Sequence, residues 1–200
     1  MATEALVPFL LTVLAMELTP GPNMAYLAVV SARSGRRAGL AAVAGVTLGL
    51  GAYLAASVAG IAQAAERWPW AYQMLRWAGV AYLLWLAFDA WRERPVEAQA
   101  PDDDALRRVF LRGLVANLLN PKAALLYVAL LPGFITPGAD PVGQSLWLGG
   151  LHLAISVLIH GAIVVFAGGA QRWLVRSGDW AGRVMALALV AVAVWLAISA

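Results

Sequence analysis

Leu18-Thr19-Pro20-Gly21-Pro22-Asn23 and, about 100 residues later, Leu119-Asn120-Pro121-Lys122 decide how this sequence is read. Both stand inside apolar stretches of bilayer-spanning length, where a helix would otherwise run without interruption. Each proline removes a backbone donor and crowds the preceding turn. Gly21 loosens the chain further, while Thr19, Asn23 and Asn120 are residue types that cap a restarted helix. A break of this kind frees N–H and C=O groups at membrane depth, and they are tolerated only where protein buries them or they line a wet cavity.

The surrounding composition sets the class. Apolar residues make up 62% of the chain and charged residues 12%, about half the roughly 25% usual in soluble proteins. Six segments read as transmembrane helices, roughly 5–30, 38–62, 70–90, 110–131, 146–170 and 182–199. The fold class expected is therefore all-α and polytopic, in one transmembrane domain over 1–200, with spans 1 and 4 broken. Trp68, Trp70, Trp91, Trp173 and Trp180 stand near segment ends, where indoles anchor at the interface. The first 16 residues carry only Glu4 as a charge, so they read as a retained span. The net charge of +3 does not indicate nucleic acid, because the basic residues lie between apolar spans. With no cysteine there is no disulfide, thiolate metal site or redox thiol.

Most of the 14 basic residues fall on one side of these spans. Arg33, Arg36 and Arg37 follow span one, Arg92, Arg94, Arg107, Arg108 and Arg112 follow span three, and Arg172, Arg176 and Arg183 follow span five. The opposite side has Arg67, with Arg76 just inside span three. The positive-inside rule then places both termini outside the cytoplasm. The stretch 92–112, with Pro95, Pro101 and Asp102-Asp103-Asp104, reads as a polar connection and its acids as solvated charges.

An offset of 101 residues sets Leu18 on Leu119, Pro20 on Pro121, Tyr26 on Tyr127 and Gly49 on Gly150. With two more residues inserted, Trp77-Ala78-Gly79 falls on Trp180-Ala181-Gly182. The halves, about 1–92 and 110–200, hold three spans each and so run in opposite directions. That is an inverted repeat, an architecture of secondary transporters.

In such proteins half-helix N-termini face an anionic substrate group, while freed carbonyls face a cation. Pro20, Gly21, Pro22, Asn23, Asn120, Pro121 and Lys122 are accordingly the candidate substrate-binding residues. Lys122 near mid-span costs roughly 2.5–3.5 kcal/mol on insertion scales, which implies a partner or a role. Glu17, on the face of the first break, is a candidate for proton coupling or for an ammonium group, with an ion pair to Lys122 as the structural alternative. Tyr26 and Tyr127, six residues beyond their prolines, are candidates for the same cavity or for packing. His152 and His160 have no carboxylate or cysteine at ligand spacing, so no metal site is expected. The glycines from Gly35 to Gly51 read as close helix packing. No hydrolase, nucleotide-binding or zinc-protease motif occurs, so neither an enzyme nor a cofactor is expected.

These residues resemble a known family. Leu18 to Asn23 followed by Ser31, Gly35, Arg36, Gly39, Gly45 and Gly49 is similar to the first signature of the LysE/RhtB family of bacterial amino-acid exporters. Gly113-Leu114, Asn120-Pro121-Lys122-Ala123-Ala124 and Leu131-Pro132-x-Phe134 resemble its second, and Gly79-x-x-Tyr82-Leu83-x-x-Leu86 a third stretch. Gly133, Leu126 and Ala87 stand where members more often have Gln, Phe and Gly, so the likeness carries no particular substrate. The resemblance implies efflux of amino acids or their derivatives across the inner membrane as a proton-driven antiporter. Metal cations or other small solutes are the alternative cargo, and a homo-oligomer is compatible with the sequence.

Overall fold

The computed structural model describes residues 3–59, 69–92, 102–136, 140–169 and 179–198, and within them the chain is helical without strands. Pro95, Pro101, Arg67, Arg94, Arg172 and Arg176 lie outside the described residues. Among the described residues seven helices follow one another: α1 Thr3–Leu18, α2 Pro22–Val58, α3 Pro69–Arg92, α4 Asp103–Leu118, α5 Pro121–Leu125, α6 Pro141–Gly169 and α7 Asp179–Ile198. From α5 the chain winds on through a wide π turn, Leu126–Leu130, and a tight 3-10 turn, Leu131–Phe134.

Both breaks expected from sequence are present. α1 stops at Leu18 and α2 restarts at Pro22. α4 stops at Leu118 and α5 restarts at Pro121, with the two directions bent by 50°. Two elements begin differently from the expectation. Arg33, Arg36 and Arg37, read as a loop, flank a bend inside α2 at Gly35, whose φ of 83° and ψ of 175° suit a residue without Cβ. α4 starts within the stretch read as a polar connection. There Asp102 Oδ1 accepts from Ala105 N at 2.7 Å, and Asp103 and Asp104 occupy the dipole-favoured first turn. The acids read as solvated charges are exposed, and they also start a helix.

The outer surface is apolar. Phe166 is 81% exposed, Ile198 74% and Leu158 72%, and a surface with so many exposed large apolar side chains is a lipid-facing one. α2 and α6 are each long and apolar enough to cross a bilayer, and α4 with the chain from Pro121 to Phe134 forms a bent pair of that kind. Ala5–Leu18 and Arg183–Ile198 are shorter apolar helices. The protein is a polytopic helical membrane protein.

Inside, α2 packs against α4 and α6, and α3 packs against α7. The contact of α2 with α4 is close: a Cβ on Gly45 would run into the Phe110 carbonyl, and one on Gly113 would meet the Ala42 backbone at Cα 3.2 Å away. The α3–α7 contact is an apolar seam of Leu83, Leu86, Ala87 and Ala90 against Ala186, Leu189, Ala193 and Leu196. A second cluster gathers Phe9 and Val13 of α1, Leu50 of α2, Tyr127 and Leu131 beyond the second break, and Leu148 of α6. This second cluster holds the two breaks side by side.

Candidate functional site

The first break leaves α1 with its last carbonyls unpaired within the helix. Thr19 closes one of them, its N–H and Oγ1 both donating to Ala15 O, at 3.2 and 2.6 Å. Pro20 and Pro22 have no N–H to offer, and Gly21 is extended, at φ −159° and ψ −179°, without a side chain to cap α2. The Thr19 carbonyl is met from the other half of the chain, by Lys122 Nζ at 2.8 Å. The aliphatic stem of Lys122 lies alongside Gly21, where even a Cβ would be in ordinary contact, 3.7 Å from Lys122 Cδ.

The second break is capped from within. Asn120 Oδ1 accepts from Lys122 N at 3.1 Å, and the Asn120 carbonyl accepts from Ala123 N and Ala124 N. Pro121 takes the first helical position, where its missing N–H costs nothing. Asn23 reaches across to the same region and donates from Nδ2 to Asn117 Oδ1 at 2.8 Å. Asn23 Oδ1 and Asn117 Nδ2 have no protein partner, so one acceptor and one donor stay spare whichever way the amides are turned.

Between the breaks lies a cavity of about 20 Å³, room for about one water. Glu17, Gly21, Asn23, Asn120, Lys122 and both histidines line it. Glu17 is buried, and its two oxygens face two imidazoles of α6: Oε1 is 3.1 Å from His152 Nε2, and Oε2 is 3.6 Å from His160 Nε2. Among the described residues no group of three acidic, histidine or cysteine side chains is arranged to hold a metal ion.

The structure thus brings together most of the residues singled out by sequence. Pro20, Pro22 and Pro121 shape the two breaks. Tyr26 is placed away from this cavity: it donates to the Val109 carbonyl at 3.1 Å and lines a second, larger one of about 490 Å³. Arg33, Arg108, Arg112 and Asp89 line that second cavity too, with Arg112 and Asp89 paired at 2.6 Å. Tyr127 sits behind His152, its Oη 2.8 Å from Nδ1, and stacks on Tyr53 with ring centroids 6.3 Å apart. Glu17, for which an ion pair with Lys122 was the structural alternative, instead faces the two histidines. Sequence reading missed Asn117 and gave the histidines no carboxylate. The signal was the spacing His152, Ser156, His160, which puts all three on one helical face.

The family pattern of the LysE type translocators matches residues 14–200. A homoserine/homoserine lactone efflux protein of Salmonella typhimurium is 31% identical over 172 residues, covering 83% of this chain and 82% of its own. An uncharacterized membrane protein of Vibrio cholerae is 32% identical over 160 residues, covering 79% and 76%. A leucine efflux protein of an Enterobacter species is 29% identical over 154 residues, covering 76% and 73%. No solved structure matches the chain. A match of this extent, on a chain whose two broken helices meet at a buried carboxylate and a lysine, makes the protein a member of the LysE type translocator family.

Proposed function

We propose that this protein exports amino acids or their derivatives from the cytoplasm across the bacterial inner membrane, by alternating access of its two halves coupled to protons. The observation that carries the reading is the bond from Lys122 Nζ to the Thr19 carbonyl, which ties one break to the other beside the cavity. Its two ends are what a zwitterion needs. The substrate carboxylate takes Lys122 and the N-terminal end of α2, and the substrate ammonium takes the released Thr19 carbonyl and Glu17. The exchange leaves no charge unpaired, which matters where an uncompensated charge costs several kcal/mol. The spare amide atom on Asn23 adds a polar contact in the wall of the same space.

A cavity of about 20 Å³ does not hold an amino acid, so this is a closed conformation and binding requires the breaks to part. The larger cavity lies among the arginines Arg33, Arg108 and Arg112. By the positive-inside rule that is the cytoplasmic side, from which an exporter loads. Glu17 serves as the coupling residue, since one buried carboxylate is counter-ion either to a substrate ammonium or to a proton-carrying group, not to both. The names of the relatives, efflux proteins for homoserine, its lactone and leucine, support the substrate class.

The test is efflux from proteoliposomes preloaded with a panel of labelled amino acids, with and without an imposed proton gradient. Saturable, gradient-dependent efflux of one or a few amino acids is expected. Efflux that continues at normal rates in both Lys122→Ala and Asn120→Ala places the substrate elsewhere.

A further inference from the structure

Coupling by Glu17 leaves the hydroxyl partners of the histidines without a role, and their arrangement is regular. His152, Ser156 and His160 follow one another at four-residue spacing on the buried face of α6. Each imidazole turns Nε2 toward its own oxygen of Glu17. Each turns Nδ1 toward a hydroxyl: Tyr127 Oη at 2.8 Å for His152, and Ser156 Oγ at 3.2 Å for His160. A hydroxyl either donates or accepts. A neutral ring therefore donates from Nε2 to Glu17 and accepts at Nδ1. A protonated ring donates from both nitrogens, and the hydroxyl turns away. For Tyr127 the next acceptor is in place, the Gly149 carbonyl at 3.5 Å. Both charge states of His152 are thus satisfied without movement of the backbone.

We propose that His152 and His160, with Glu17 between them, form the proton-binding site of the transport cycle. This rests on the export reading above. In the absence of substrate a proton from water adds to the free nitrogen of one imidazole, and the imidazolium pairs with the Glu17 carboxylate. An arriving substrate ammonium competes for that carboxylate. The imidazolium, deprived of its counter-ion, returns its proton to water on the other side of the cycle. One carboxylate serving two cations in turn is an exchange of proton for substrate.

The charged and titratable groups facing this site are few. Lys122 lines the cavity from α5, Tyr127 approaches from the π turn, and Glu17 comes from α1. α2 contributes Asn23, Met24 and Leu50, which carry no charge. The lysine in the same cavity, and the pairing of each ring with a separate carboxylate oxygen, favour a proton over a divalent metal as the occupant.

The chain has two histidines in all, so histidine signals report on this site alone. The test uses the full chain in nanodiscs with ¹⁵N-labelled histidine, titrated from about pH 5 to about pH 9, the range around the ordinary imidazole transition. A change of the site between neutral and protonated forms is expected, and Glu17→Gln is expected to shift it. Rings fixed in one form throughout, or transitions indifferent to Glu17→Gln, overturn the proposal. So does zinc that binds tightly to the wild type and not to His152→Gln, since it makes this a metal site. In proteoliposomes the readout is the ratio of gradient-driven efflux to gradient-free exchange of L-homoserine and L-leucine. One coupled proton gives up to about tenfold acceleration per pH unit, and His152→Gln/His160→Gln is expected to bring the ratio to about one. A double variant that keeps the wild-type ratio overturns the proposal. Rings that titrate as expected in a protein moving no amino acid leave the proton site standing and remove the export reading instead.

Discussion

The two breaks are made of the same residue types and are finished in different ways. At the second, Asn120 caps the helix it precedes, and the chain beyond is eased into its new direction by the π and 3-10 turns. At the first, the capping position is Gly21, which has no side chain to offer, and the Thr19 carbonyl is satisfied by Lys122 from the other half. The second break is self-contained and the first depends on its partner. A ligand that competes for Lys122 therefore acts first on the Thr19–Asn23 segment, while Asn120–Ala124 holds its shape.

The largest effect is expected where the two breaks meet. Lys122→Ala removes the bond to Thr19 and the proposed carboxylate partner, and efflux should fall roughly 100-fold, the equivalent of about 2.7 kcal/mol. Membrane insertion should be unchanged or improved, because a mid-span lysine opposes it. Efflux assayed against protein level separates the two. A fall of less than about threefold would break the comparison, by showing that the first break does not depend on its partner.

The frame that holds both breaks in register comes next. Gly45→Val drives a side chain into the Phe110 carbonyl at the α2–α4 contact, and should destabilise by about 1–3 kcal/mol. Gly51→Ala, where a Cβ meets nothing within 4 Å, is the control. Thermal unfolding in detergent should show a fall of several degrees for the first and little change for the second.

How much of this was legible in the sequence follows from where the information is local. Prolines and asparagines within apolar runs specify a break through backbone chemistry alone, and both breaks stand where Pro20–Asn23 and Asn120–Lys122 put them. Asp102 is also local chemistry, but a run of three acids reads equally as a solvated loop or as a capped first turn. Arg33, Arg36 and Arg37 looked like a connection, because clustered arginines suggest the end of a span, whereas they flank a bend at Gly35 inside α2. The histidine–Glu17 contact was hidden for a different reason. It joins residues 135 positions apart, and only the folded chain shows that α6 lies against the end of α1. Tyr26 and Tyr127 correspond in the repeat alignment, yet one serves the larger cavity and the other buttresses His152. Sequence correspondence gives equal positions, and the surroundings give each its role.

Two smaller changes sharpen the contrast between the breaks. Asn120→Ala removes a cap, with a cost of about 1 kcal/mol, while Asn120→Asp retains an acceptor there. Stability should follow that order, and efflux should fall with it. Gly21→Ser does the reverse, supplying the first break with the cap it lacks in a space that accepts a Cβ. It should raise stability by only a few tenths of a kcal/mol, and slow efflux, by making the first break as self-contained as the second. Faster efflux in Gly21→Ser would contradict the dependence of that break on Lys122.

The central claim is that substrate sits between the breaks, and the absence of native cysteine allows a direct test. Ala123→Cys places one thiol in the wall of the inner cavity, where the rate of its modification by a small thiol reagent can be followed during efflux. The account predicts that the transported amino acid protects this thiol, half-maximally at the concentration that half-saturates efflux. Labelling that proceeds at the same rate with and without saturating substrate, in a variant that still exports, would contradict it.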